Sequence, residues 1–82
     1  MAAGPKVLIV DDHPLFRDAL GLALREAYPS GAEALAAGSL AEALKLLGAG
    51  DVDLVLLDLN LSDAHDFEGL SRLKALHPGI PV

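Results

Sequence analysis

The chain has 82 residues, 52% of them hydrophobic, with six Lys and Arg against twelve Asp and Glu for a formal charge of -6. That length suits one small domain, which buries only about 60–65% of its unfolded surface and should be modestly stable. There is no basic stripe and no Trp, which argues against direct nucleic-acid binding by this segment; no Cys, which excludes disulfides and zinc–thiolate sites; and no apolar stretch that could cross a bilayer. The start, Met1-Ala2-Ala3-Gly4-Pro5-Lys6, is too short and polar for a signal sequence, so a cytoplasmic location is expected.

Val7-Leu8-Ile9-Val10 reads as a short strand buried on both faces, as in a parallel sheet. It runs directly into Asp11-Asp12, and charge does not belong inside such a strand, so both acids belong at its C-terminal end. Pro14 stands where a helix would begin, a place its fixed φ and missing N–H suit. Phe16, Ala19, Leu20, Ala23, Leu24 and Ala27 then recur at helical spacing as the inward stripe. Tyr28-Pro29-Ser30-Gly31 ends that helix, and residues 34–37 form a short strand candidate without β-branched residues.

Ser39-Leu40-Ala41-Glu42 has the spacing of a capping box. The helix it opens carries Leu40, Ala43, Leu44 and Leu47 inward, with Gly48 or Gly50 closing it. Leu54-Val55-Leu56-Leu57 is the second wholly apolar strand, and it ends in Asp58. A polar loop over 60–66 precedes a third helix from 67 to about 76, whose apolar face is Phe67, Leu70, Leu73 and Leu76. Pro78-Gly79 stops it, and Ile80-Pro81-Val82 reads as the opening of a fourth strand.

The order β-α-β-α-β-α-(β) calls for an α/β fold with helices on both faces of a parallel sheet. Right-handed crossovers and short loops favour strand order 2-1-3, a flavodoxin-like, doubly wound sheet. In that order the first and third strands are neighbours. Asp11, Asp12 and Asp58 then meet above their C-terminal ends, where open α/β sheets bind ligands.

Three ionised carboxylates repel one another by about 4 kcal/mol per pair at 4 Å and an effective dielectric near 20. A divalent cation relieves this. Oxygen ligands without sulfur or clustered histidine argue for Mg²⁺, with Mn²⁺ able to take its place. Asp58, already ionised, could attack a phosphoryl group without a general base, the metal neutralising charge on the transferring group.

Lys6-Val7-Leu8-Ile9-Val10-Asp11-Asp12-His13-Pro14 together with Leu54-Val55-Leu56-Leu57-Asp58-Leu59-Asn60-Leu61 resembles the receiver domain of a bacterial response regulator. Asp-Asp-His-Pro followed by Leu15-Phe16-Arg17, with Ala37-Gly38-Ser39 further on, is similar to the NarL/FixJ/LuxR-type transcription regulators. The resemblance spans essentially the whole chain and implies a CheY-like fold. It implies that Asp58 is the phosphoacceptor, that Asp12 is the closer metal ligand, with Asp11 acting directly or through water, and that the backbone carbonyl of Asn60 is a further ligand. It implies as donor a phosphohistidine on a sensor histidine kinase or a small acyl phosphate, and a signalling role without enzymatic turnover.

This chain departs from the family pattern in having Ser62 where Pro is usual and Asp66 where Gly is usual. Five strands, five helices and their loops sum to on the order of 120 residues. Residues 1–82 are therefore expected to be the N-terminal portion of a receiver, stopping as the fourth strand begins. The family's switch Ser/Thr, its phosphate-binding Lys and the DNA-binding helix-turn-helix domain would lie beyond them.

Plainer roles compete at several positions. Asp11-Asp12 could simply cap the first helix. His13 is expected at the surface without a ligand role, and His65 and His77 in solvent. Asp63 and Asp66 are read as polar loop and helix cap, Ser62 as an unactivated hydroxyl. The alternative function is an interaction or dimerisation fragment without phosphotransfer. A bare strand edge invites pairing, so the 82-residue chain is expected to self-associate, including by exchange of elements between copies. A metal-dependent phosphohydrolase would show a second acid two residues after its nucleophile, where this chain has Asn60.

Overall fold

The computed structural model describes residues 4–28, 31–64 and 67–82. Strands and helices alternate as β1 (Lys6–Val10), α1 (Pro14–Ala27), β2 (Glu33–Ala37), α2 (Leu40–Gly48), β3 (Leu54–Leu57) and α3 (Glu68–Leu76). The three strands form a parallel sheet in the order β2-β1-β3, the expected 2-1-3 arrangement. Val10 pairs with Ala37 on one side and Leu57 on the other, so all three strands end level. The ladders continue one step further. Asp11 donates its N–H to the Ala37 carbonyl at 3.0 Å, and Asp58 donates to Val10 at 2.9 Å, which holds both acids on the strand ends.

Central β1 is buried on both faces from Val7 to Val10. The alanine-rich β2 forms despite its low strand propensity, because it pairs with β1 along its full length. On one face Leu8, Val10 and Val55 meet Leu40, Ala43 and Leu47 of α2 and Leu73 of α3. Leu61 and Ala64, from the loop between β3 and α3, complete that core.

The N-terminus of α2 leaves none of its first four N–H groups unpaired. Leu40 and Ala41 donate to the Asp63 carboxylate at 2.8 and 3.1 Å, Glu42 to the Ser39 hydroxyl at 3.1 Å, and Ala43 to the Ser39 carbonyl at 3.1 Å. Glu42 reaches back as a capping box requires, but it accepts from the Gly38 N–H, one residue before the cap. At the other end Gly50 takes a φ of 92°, a left-handed conformation that glycine adopts without a Cβ clash.

Several expectations need correction. The α1 stripe is not core: Leu20 and Leu24 are half-buried, while Phe16, Ala19, Ala23 and Ala27 are exposed. The helix approaches the sheet along Gly21, where an added Cβ would lie 3.8 Å from that of Ala34, and of the stripe Phe16 and Leu20 line the groove beside β3. Helix α3 likewise rests on Gly69 and Leu73, leaving Phe67 and Leu76 exposed. Residues 80–82 form no strand. They lie beside β3 through one bond, from the Val55 N–H to the Pro81 carbonyl at 2.9 Å, and Pro81 has no N–H with which to continue a ladder.

The readings of His65 and Asp66 fall outside the described residues, and Phe67 occupies the N-cap position of α3 without a side-chain bond. His77 is half-buried at the C-terminal cap of α3 rather than free in solvent. Among the described residues, no helix is long and apolar enough to cross a membrane.

Candidate functional site

Asp11 and Asp58, at the ends of neighbouring strands, share one local device. Asp11 Oδ1 accepts the N–H of His13 at 2.9 Å, and Asp58 Oδ1 accepts that of Asn60 at 3.0 Å. Each carboxylate thus bonds the backbone two residues on, an Asx turn that reverses the chain as it leaves the sheet. Asp11 is nearly buried, with a side chain 6% exposed, whereas Asp58 and Asp12 are 21% and 31% exposed. One ligand atom each from Asp11, Asp12, His13 and Asp58 lies within 4.8 Å of all the others. An open cleft of about 840 Å³ lies above these groups and the first turn of α1.

The His13 ring turns into this cluster. Its Nδ1 is 2.6 Å from Asp11 Oδ1, 3.1 Å from Asp12 Oδ1 and 4.0 Å from Asp58 Oδ2. The hydrogen bond to Asp11, followed by the negative charge of Asp12 and then of Asp11, raises the imidazole above its ordinary 6.5. A surface position was expected and is found, but the contact with all three acids was not foreseen. The adjacency of a histidine to the acid pair was the available signal. Whether its ring folds back or points away depends on the turn after β1.

One observation bears directly on a cation. Asp12 Oδ1 is buried and makes no hydrogen bond among the described residues. It lies within 3.1 Å of His13 Nδ1, yet a single ring N–H committed to Asp11 at 2.6 Å cannot serve both. An unsatisfied carboxylate oxygen is costly to bury, and a hard cation satisfies it. The donor set, three carboxylates with oxygen ligands within 4.8 Å of one another, fits Mg²⁺.

The structure therefore brings Asp11, Asp12 and Asp58 together, as the sequence implied, and places Asn60 on the same loop as Asp58. Asp63 does not join them. It caps α2 across 23 positions of chain, and its carboxyl is held below the ordinary 3.8, first by the Leu40 N–H and then by that of Ala41. Only the packing of two loops reveals that partner.

The model of the response regulator receiver domain matches residues 7–82. The chain belongs to the response regulator receiver domain family. The glycerol metabolism activator of Pseudomonas putida is 45% identical to this receiver domain over 78 residues, 94% of this chain and 35% of that protein. The transcriptional regulator NtrC of a Bradyrhizobium strain is 34% identical over 82 residues, all of this chain and 16% of that protein. The chain thus spans about a third or less of these relatives. The response regulator TrrA of Thermotoga maritima, crystallised in complex with Mg²⁺-BeF, superposes with a TM-score of 0.79 at 31% identity, over 90% of this chain and 62% of that one. A structure of TrrA with the histidine kinase ThkA gives a TM-score of 0.81 at 30% identity, over 93% and 63%. At these scores the neighbours share the fold of this chain.

Proposed function

We propose that this receiver domain accepts a phosphoryl group on Asp58, with Mg²⁺ held by Asp11, Asp12, Asp58 and the backbone carbonyl of Asn60. The unsatisfied, buried Oδ1 of Asp12 beside two further carboxylates carries this reading. The complex of TrrA with Mg²⁺-BeF supports it from a relative. When bound, the metal supplies positive charge for the transferring oxygens and relieves the repulsion among the acids. The Asn60 N–H fixes Asp58 Oδ1 and leaves Oδ2 facing the cluster, the oxygen assigned to attack. A bond forms from that oxygen to phosphorus as the N–P bond of a phosphohistidine breaks. The departing imidazole keeps the electron pair and takes its proton from solvent. A carboxylate nucleophile carries no proton to remove, so this step calls for no general base.

The TrrA–ThkA complex favours a sensor histidine kinase as donor. Asp-Asp-His-Pro at 11–14 favours the NarL/FixJ/LuxR type, which would control transcription in the cytoplasm through an output domain, without turnover in the receiver itself. The deciding experiment is the intact mass of the chain after incubation with acetyl phosphate and Mg²⁺, alongside Asp58→Asn. One phosphoryl adduct, lost in the variant and without metal, is the expected result. A folded chain that acquires no adduct sinks the reading.

A second reading, self-association, has its own observation. Beside β3 runs an apolar groove of about 460 Å³ lined by Ile9, Phe16, Leu20, Leu56 and Val82 among others. Among the described residues the outer edge of β3 carries one bond, from the Val55 N–H to the Pro81 carbonyl, and the rest of that edge is open to pairing with another chain. Sedimentation should show dimers that dissociate on dilution; a monodisperse monomer throughout would rule this out.

A further inference from the structure

The loop that leaves Asp58 is fastened to a different element, α2, by another acid. Asp63 Oδ1 accepts the Leu40 N–H at 2.8 Å and Oδ2 accepts that of Ala41 at 3.1 Å. On either side Leu61 and Ala64, joined by an isolated bridge, are 1% and 2% exposed. Apolar anchors set how deep a loop sits but resist sliding poorly. Two directional, charge-assisted bonds fix its position along the surface. The same loop begins with Asp58 and Asn60, already tied to each other by the Asn60 N–H. A displacement at Asp63 therefore has a short path, through Leu61, to the carboxylate and to the Asn60 carbonyl.

We propose that Asp63 is a positioning residue for the acidic site: by clamping the β3–α3 loop to the N-terminus of α2, it sets the placement of Asp58 and Asn60 for Mg²⁺ and for phosphoryl acceptance. This rests on the assignment of Mg²⁺ and Asp58 made above. It differs from a helix cap whose loss weakens α2 and nothing else. Ser39 provides the comparison, because it caps the same helix through Glu42 but belongs to the β2–α2 loop.

The test is a Mg²⁺ titration of the wild-type chain, Asp63→Ala, Asp63→Asn and Ser39→Ala, followed by amide proton–nitrogen NMR. Reading only folded-state resonances removes any unfolded fraction from the comparison. Asp63→Ala should bind Mg²⁺ about fivefold more weakly, less than the 10- to 100-fold lost when a group bonded directly to a ligand is removed. Asp63→Asn, which keeps one oxygen for one of the two N–H groups, should recover part of that loss. Ser39→Ala should change affinity by less than about twofold, having no bond to the metal-bearing loop. In the wild type, Mg²⁺ should shift the Leu40 and Ala41 amides, because coupling between linked equilibria is reciprocal.

Equal affinity in Asp63→Ala and wild type overturns the proposal, as does an equal loss in Ser39→Ala. A wild type that binds no Mg²⁺ overturns it together with the metal assignment. If the wild type binds Mg²⁺ but takes no phosphoryl group from acetyl phosphate, the phosphoacceptor reading fails alone, and the titrations still decide the role of Asp63.

Discussion

Leu8 and Ile9 are successive residues of β1, both buried, and they point to opposite faces of one sheet. Leu8 enters a layer made by α2, α3 and the loop between β3 and α3, where leucines and alanines from several elements interlock. Ile9 faces α1, which touches the sheet along Gly21 and leaves Phe16 half exposed over the groove beside β3. The first face is also closed in its polar bonds, since Asp63 and Ser39 satisfy the N-terminus of α2. On the second face, α1 begins at His13, whose side chain makes no cap bond and turns to the acids instead. The acid cluster sits on the border between the two. One side of the site is built on a packed layer in which the N-terminus of α2 is fully bonded; the other is built on a helix whose apolar stripe is still available to other surfaces.

Truncating each face should separate them. Leu40→Ala, at a fully buried position of the closed face, should cost about 2–5 kcal/mol, read as a fall in the urea midpoint. Phe16→Ala removes a half-exposed ring from the open face and should cost about 1 kcal/mol or less. Comparable losses from the two would break the distinction. Between these lies Ser39→Ala, which removes one cap bond of α2 and should cost about 1 kcal/mol.

Smaller effects should appear with pH, and their signs are opposite. In the metal-free chain His13 is raised above 6.5 by Asp11 and the neighbouring charges, so the folded state binds its proton more tightly than the unfolded state does. That stabilisation is fully present below about 6.5 and is lost as pH rises through the higher folded value. His13→Ala should flatten this stretch of the stability profile. Asp63 is lowered below 3.8 by the α2 N–H groups, so its contribution is present above that value and is lost as pH falls through the folded one. Asp63→Asn should flatten the acid limb and leave the neutral limb unchanged. Reversal of either sign would show that the bonds around these groups do not hold in solution.

The sequence alone determined the three strands of the sheet, their order and the meeting of Asp11, Asp12 and Asp58, but its fourth strand at 80–82 does not form. An apolar run ending in acid and a parallel sheet with short crossovers leave little choice in where those carboxylates go. The Ser39 cap was legible for the same reason, as was a glycine terminus at Gly48 or Gly50, since each depends on residues within a turn of one another. Which side of a helix is covered was decided only in three dimensions. The α1 stripe has the right period, but a glycine allows the closest approach, so Gly21 rather than the stripe meets the sheet. The partner of the Leu40 and Ala41 N–H groups came from Asp63, 23 positions away, because two loops converge at that edge of the fold. The His13 ring joined the acids because the turn after β1 folds it back. Local pattern specifies the elements and the ends of strands. Contacts between loops distant in the chain are set by how the elements pack, and no period or spacing records them.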